Sequence, residues 1–377
     1  MNRKLFVLIA VVALVALAAC APAPAPTTAP PPPTSAPAAS TSAPAAPTSA
    51  PAAPTSAPTA AATTAPTAGA VTKITVAYST LNPDPLPLWV AQDDGFFTKN
   101  GLAVELVFIN GGTKTAQAAI AGDVQFAVTA PSGAVNADAG GADLVLVTGL
   151  VNVINYDLVA VPGIKTAADL KGKKVAWSGP SGSSATALRL ALKAVGNLSI
   201  NDVVPITVGT ESEREAALKT GQIDATVMNP DLAETKGVSD GLVILAQMWK
   251  RSDIPYQHTG IVASKKYLSA NQDAATRFEK AVIQAIGYIR DPANKASVIA
   301  TLGKYLKSTD QAYLNSGYTR MSQTLLQCAP YGTVDGMKTV IGESKTATAK
   351  GLTAEQMIDN SFIKALDDSG FVKANCK

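Results

Sequence analysis

The strongest constraint on the fold is an internal echo: blocks of similar character recur ninety-nine residues apart without drift. Val76-Ala77-Tyr78-Ser79 is a short apolar run ending at a turn, and Val175-Ala176-Trp177-Ser178 repeats it. Both have the length and the boundaries of buried strands. At the same offset, Phe108-Ile109-Asn110-Gly111-Gly112-Thr113 is answered by Thr207-Val208-Gly209-Thr210-Glu211-Ser212. Each is an apolar strand end, a glycine turn and a helix start, with Thr113 and Ser212 as the N-cap candidates. Ala118 to Pro131 then matches Ala217 to Pro230, sharing Ala118/Ala217, Gly122/Gly221 and Pro131/Pro230. Strands alternating with helices build βαβ units and mainly parallel sheets, so two similar units predict two α/β lobes of related topology.

Ligands of open α/β sheets collect outside the carboxyl ends of the strands. The loops at those ends are Ser79-Thr80, Gly111-Gly112-Thr113, Ala130-Pro131-Ser132, Ser178 to Ser184, Gly209-Thr210 and Asn229-Pro230-Asp231. If the lobes face each other, all six meet in one cleft. The chain is expected to cross outward near Val153 to Tyr156 and to return at Tyr256-Gln257-His258-Thr259. That places lobe 1 at residues 71–154 and 258–377 and lobe 2 at residues 155–257. Beyond Lys265 the pattern is helical, with capping-box signals at Ser269/Gln272 and Thr353/Gln356, and these helices are expected to clad the first lobe.

Ahead of the lobes, Arg3 and Lys4 precede an apolar run from Leu5 to Ala19, the pattern of a signal peptide over residues 1–19. The run is shorter than the roughly 20 residues a spanning helix needs. Leu17-Ala18-Ala19-Cys20 resembles a bacterial lipobox, which implies cleavage before Cys20 and its lipidation; ordinary cleavage after Ala18 is the alternative. Residues 21–70 hold no charge, no aromatic and fourteen prolines among Ala, Ser and Thr. Such a stretch has nothing with which to build a core and reads, with Cys20, as a disordered tether, or as an adhesive or O-glycosylated stalk. Setting aside Arg3 and Lys4 takes the 31 basic residues to 29 against 28 acidic ones, a balance that gives nucleic acid no electrostatic foothold. Of three cysteines, Cys328 and Cys376 remain beside Cys20, and in an oxidising compartment they are expected to pair and pin the C-terminal tail; two free thiols are the alternative.

Leu88-Trp89-Val90-Ala91, Gly95-Phe96-Phe97 and Gly101-Leu102-Ala103-Val104-Glu105, followed by Ala121-Gly122-Asp123-Val124 and Asp169-Leu170-Lys171-Gly172-Lys173-Lys174-Val175, resemble the nitrate/sulfonate/taurine solute-binding family. That family also includes thiamine-precursor binders. The resemblance spans about residues 73–265 and implies a type II periplasmic-binding-protein fold. It also implies an ABC-transporter permease and ATPase as partners, since the chain has no G-x-x-x-x-G-K-[ST] loop of its own. Gly95-Phe96-Phe97 has a structural reading too, a glycine helix stop followed by core aromatics.

Within the cleft loops, Gly179 to Thr186 runs from a strand into a helix, so free N–H groups meet the hydroxyls of Ser181, Ser183, Ser184 and Thr186. This arrangement favours an anion, though a plain serine N-cap has the same sequence. The candidate ligand contacts are Ser79, Thr80, Gly112, Thr113, Ala130, Pro131, Ser132, those four hydroxyls, Asn229, Asp231 and His258. Tyr78 and Trp89 stand as cleft walls or as core. The loops contain no Arg or Lys apart from Lys114, whereas Asp231, Glu211 and Glu213 are acidic, which disfavours a multiply charged anion. Asp231 reads either as a helix N-cap or as a carboxylate facing an ammonium or ring nitrogen of the ligand.

His258 is the only histidine, and no Cys-x-x-Cys accompanies it, so neither a metal site nor any cofactor is expected. Without a G-x-S-x-G elbow there is no nucleophilic triad either, and the chain is expected not to be an enzyme. The leading expectation is a monomeric, extracytoplasmic, lipid-anchored binder of a small polar or anionic organic solute, sulfonate- or taurine-like. The alternatives are a binder of a thiamine-precursor pyrimidine or an enzyme acting on one, and a sensory or adhesive surface protein.

Overall fold

The computed structural model of the chain describes residues 71–377; the signal segment 1–19, Cys20 and the stretch up to residue 70 lie outside the described residues. Ten strands make two five-stranded sheets. They are β1 (Thr72–Tyr78), β2 (Leu102–Phe108), β3 (Phe126–Thr129), β4 (Leu144–Val151), β5 (Asp157–Ala160), β6 (Lys174–Trp177), β7 (Val204–Thr207), β8 (Ala225–Met228), β9 (Val243–Gln247) and β10 (Thr259–Ser264). The first sheet has the order β2-β1-β3-β10-β4 and the second β7-β6-β8-β5-β9.

The two orders are one design. In the first sheet β1 is parallel to β2 and β3, and β10 runs antiparallel between β3 and β4. In the second, β6 is parallel to β7 and β8, and β5 runs antiparallel between β8 and β9. The ninety-nine-residue echo therefore superimposes β1–β4 on β6–β9, and the fifth, antiparallel strand of each sheet comes from a crossing segment. This is the expected two-lobed α/β architecture, with mixed sheets flanked by helices. Strands β3, β4, β5 and β8 are buried along their whole length. That explains their unbroken apolar runs, since strands covered on both faces do not alternate.

The first lobe packs on the long helix Gln272–Arg290, where Phe278 stacks on Phe126 at 4.0 Å and on Phe97 at 5.6 Å. Gly95, at φ +73°, ends the preceding helix and turns the chain so that Phe97 enters this core, the structural role read from Gly95-Phe96-Phe97. Cys328 and Cys376 are bonded, as expected. The C-terminal turn they anchor lies so close to the long helix that a Cβ on Gly287 would meet the Asn375 carbonyl oxygen at 2.0 Å.

Local details differ from expectation. The helix caps are Gly111 and Thr210, two residues before Thr113 and Ser212. Gly111 adopts φ +94°, and the Thr210 hydroxyl accepts the Glu213 N–H while the Glu213 carboxylate returns to Thr210 N–H. These devices start each helix as soon as the strand ends. The Ser269 hydroxyl bonds Lys266 O, leaving Asn271 at the cap position, whereas Thr353 and Gln356 exchange both capping-box bonds around a turn. The C-terminal helices also do more than clad the first lobe. Gln311–Arg320 buries Tyr313 in a cluster with Val159, Ala176 and Leu218 of the second, and Glu343, at the end of Val334–Gly342, pairs with Arg189 at 2.9 Å.

Candidate functional site

Five strands, β1, β2, β3, β6 and β7, end at one cavity, which is closed by Ser79-Thr80, Asn110 to Gly112, Ala130, Ser178 and Gly209-Thr210. The free volume is about 130 Å³. Pockets for drug-sized ligands run from about 300 to 1,000 Å³, so this one suits a small solute. The helices Gly112–Ala121, Ser183–Ala191 and Glu211–Lys219 all start at its wall. Their first N–H groups lack intrahelical partners, and the helix dipoles put partial positive charge there. Close packing fixes these starts: a Cβ on Gly133 would lie 2.7 Å from the Gly112 carbonyl oxygen.

The charged groups at this wall are Glu211 and Arg214, on the first turn of one helix. Glu211 Oε1 accepts the Asn229 backbone N–H and lies 3.9 Å from Arg214 Nη2. Burial pushes the Glu211 carboxyl up, against the pull of Arg214 and of the Asn229 N–H. Arg214 is itself buried, donating to the Gly209 and Val227 carbonyls at 2.9 and 3.4 Å. The expectation of a cleft without arginine is therefore corrected. Helical side chains tilt toward the N-terminus, so a residue one turn inside the helix reaches back to the wall. Tyr156, from the outward crossing, completes the wall, its hydroxyl 3.1 Å from Ser183 Oγ.

Of the residues expected from sequence, Ser79, Thr80, Gly112, Ala130 and Ser183 line this cavity. Thr113 and Pro131 adjoin it within the first turns of their helices. Ser184 is buried behind it, accepting the Ser178 N–H at 2.9 Å, with its hydroxyl 2.9 Å from that of Ser178. Ser132, Ser181 and Thr186 face a separate groove beside Arg189 and Glu343. Asn229 caps its own short helix and reaches the cavity only through Glu211. Trp89 is fully buried in the core, stacked on Tyr305 at 4.9 Å, and the half-buried Tyr78 packs edge-on against it at 5.7 Å. Glu211, Arg214, Tyr156 and Phe108 also line the cavity and were not among the candidate residues read from sequence. The signal for Arg214 was its place three residues after Glu211 at a helix start.

Two other expected residues are engaged elsewhere. Asp231 accepts the Ser316 hydroxyl at 2.7 Å and pairs with Arg320 Nε at 2.9 Å, so its carboxylate is committed inside the protein. His258 is buried at the return crossing, with Nε2 3.3 Å from Asp84 Oδ2. Asp84 also accepts Asn155 Nδ2 and Thr259 Oγ1, both at 2.8 Å, and so ties the cleft loop that follows β1 to both crossings. Among the described residues, no three His, Cys, Asp or Glu side chains come together as a metal-binding set.

A family model described as NMT1/THI5 like matches residues 82–296. A Haemophilus influenzae protein named for thiamine biosynthesis is 31% identical over 223 residues, covering 57% of this chain and 68% of its own. Among solved structures, the periplasmic aliphatic sulphonate binding protein SsuA from Escherichia coli aligns with a TM-score of 0.61 at 19% identity, over 78% of this chain and 99% of that one. The periplasmic nitrate-binding protein NrtA from Synechocystis aligns with a TM-score of 0.64 at 16% identity, over 79% and 89%. At such identities these structures establish the fold, that of two-lobed periplasmic binding proteins.

Proposed function

The chain belongs to the NMT1/THI5-like family, and from that premise we propose that it is the extracytoplasmic solute-binding component of an ABC importer. It captures a small organic solute between lobe 1, residues 71–154 and 258–377, and lobe 2, residues 155–257. Closing the lobes on the solute produces the form that docks on the permease, with the ATPase beyond it. The relatives support a binding role rather than an enzymatic one. Residues 1–19 direct export, Cys20 carries the lipid, and the proline-rich tether gives the monomer reach from the membrane.

The observation that carries the solute class is the pairing of three helix N-termini with one carboxylate, Glu211, around about 130 Å³. The helix starts suit an anionic or acceptor group, and Glu211 suits an N–H donor on the same molecule. The amino-group partner is thus moved from Asp231 to Glu211. A helix end contributes about 0.3–2 kcal/mol and a hydrogen bond to a charged group about 1.5–3. Four or so such contacts reach the roughly 8 kcal/mol of micromolar affinity. A small amino-sulfonate of the taurine kind meets both demands. An aminopyrimidine meets them too, and is favoured by Phe108 and Tyr156 at the wall.

A thermal-shift screen of the full chain against amino-sulfonates, plain sulfonates, nitrate, carboxylates and aminopyrimidines tests this. Ligand at 100 times its dissociation constant adds about 2.7 kcal/mol of stability, a readily measured shift. A response confined to amino-bearing classes is expected; silence throughout would remove the capture reading.

A further inference from the structure

The helix Gln311–Arg320 follows the return crossing in sequence, yet it reaches into the second lobe. Tyr313, Ser316 and Arg320 share one stripe, spaced by one helical turn each. Tyr313 is buried in the second lobe's apolar cluster, and Ser316 donates to Asp231 Oδ1 at 2.7 Å. Arg320 reaches two carboxylates of that lobe, Asp231 through Nε at 2.9 Å and Glu234 through Nη2 at 2.8 Å. Its guanidinium also lies 4.3 Å over the ring of Trp249. Arg320 and Asp231 are only 7% and 1% exposed at their side chains, so the pair is held away from solvent screening.

The same helix also touches the first lobe at its cleft loop. A Cβ on Gly317 would come within 2.7 Å of Pro83 Cγ, so a glycine is needed for this approach. Pro83 lies between Asn82, which lines the cleft, and Asp84, which holds both crossings. One helix is thus packed on the solute-facing loop of one lobe and bonded to two acids of the other.

We infer that Gln311–Arg320 is an interlobe clasp, with Arg320, Asp231 and Glu234 as positioning residues that hold the closed arrangement before any solute arrives. The inference rests on capture by lobe closure. It explains why a buried arginine of one lobe serves two acids of the other, with Glu234 Oε1 held in place by Gln247 Nε2 at 2.7 Å and Trp249 Nε1 at 3.1 Å. Opening the lobes separates Arg320 from both acids, so the clasp shifts the resting population toward the binding-competent form. A solute then pays less for closure, because apparent affinity scales with the fraction of competent protein.

The test uses the full chain with Cys20→Ser, the Cys328–Cys376 bond intact, and spin labels on Gln117→Cys and Ala216→Cys. Both sites are exposed, on the helices that face each other across the cleft. Distances are measured without solute by pulsed electron resonance. The parent chain should give one dominant short distance. Arg320→Gln alone leaves a buried acid unpaired and risks the fold. The decisive chain is therefore Arg320→Gln with Asp231→Asn and Glu234→Gln, which removes the charges together and keeps the shapes. That chain should move at least half of its population to a longer distance while its far-ultraviolet spectrum stays unchanged. An unchanged distance distribution in this folded triple variant overturns the clasp whatever the solute. A lengthened distance upholds it even where the solute screen is silent, so the two readings fail separately.

Discussion

Glu279 is a buried acid with no basic partner among the described residues, and that makes the stability of the first lobe depend on pH in a calculable way. It lies on the Gln272–Arg290 helix, fully buried, with its two oxygens 2.7 and 2.6 Å from the Thr148 hydroxyl of β4. One hydroxyl has a single proton and cannot donate to both oxygens, so a protonated carboxyl that donates back fits the geometry better. Burial pushes Glu279 up to about 8, with the Thr148 bond opposing. In the unfolded chain a glutamate titrates near 4.3. Between these values the folded state keeps a proton that the unfolded state has released. Stability is therefore fully present at low pH and is lost as pH rises toward 8, at up to about 1.4 kcal/mol per pH unit. Glu279→Gln keeps the shape, donates to and accepts from Thr148, and has no proton to lose. It should be slightly less stable than the parent at pH 5, by about 1 kcal/mol for its extra N–H. It should be more stable at pH 8 by about 2–4 kcal/mol, part of the full linkage. Urea melts of the full chain at pH 5, 6, 7 and 8, with equal slopes for both chains, measure this. Parallel stability curves, or a variant still weaker at pH 8, would refute a neutral buried Glu279.

Ser183 and Ser184 should separate cleanly. Ser183→Ala removes a cleft hydroxyl and the Tyr156 bond, and should weaken solute binding about tenfold in calorimetry with little change in melting, whereas Ser184→Ala breaks the Ser178 bonds and should cost about 1 kcal/mol of stability. Replacing Cys328 and Cys376 by serine frees a loop of 48 residues, for which chain entropy sets a loss of about 4 kcal/mol; a thermal melt in which the loss is below about 1 kcal/mol would show that the tail is held without the bond.

The fold was legible because the two lobes repeat at the level of strand ends and turns. Val76/Val175, the cap positions Gly111/Thr210, and Pro131/Pro230 mark equivalent places in both lobes, and β1–β4 and β6–β9 follow them in register. The strand-end loops do come together, since Ser79, Thr80, Gly112, Ala130 and Ser183 line one cavity. Individual chemistry was harder to read. Whether Asp231 faces solute or protein depends on Arg320, eighty-nine residues later on a helix whose position no local pattern announces. Arg214 and Tyr156 enter the cleft through side-chain direction and a crossing segment, neither of which strand-end reasoning samples. Trp89 and Tyr78 were settled by packing partners, Tyr305 and Phe108, that only tertiary structure supplies.

The most direct measurement is a calorimetric titration of the parent and the Glu211→Gln chains with taurine-type amino-sulfonates and aminopyrimidines. The amide keeps an acceptor for the Asn229 N–H but cannot ionise to pair with an N–H group of the solute. Expected is saturable one-site binding by the parent, weakened about 10- to 150-fold in the variant, the equivalent of one hydrogen bond to a charged group. Equal affinities in the two chains, or no saturable binding by the parent, would contradict solute capture at Glu211.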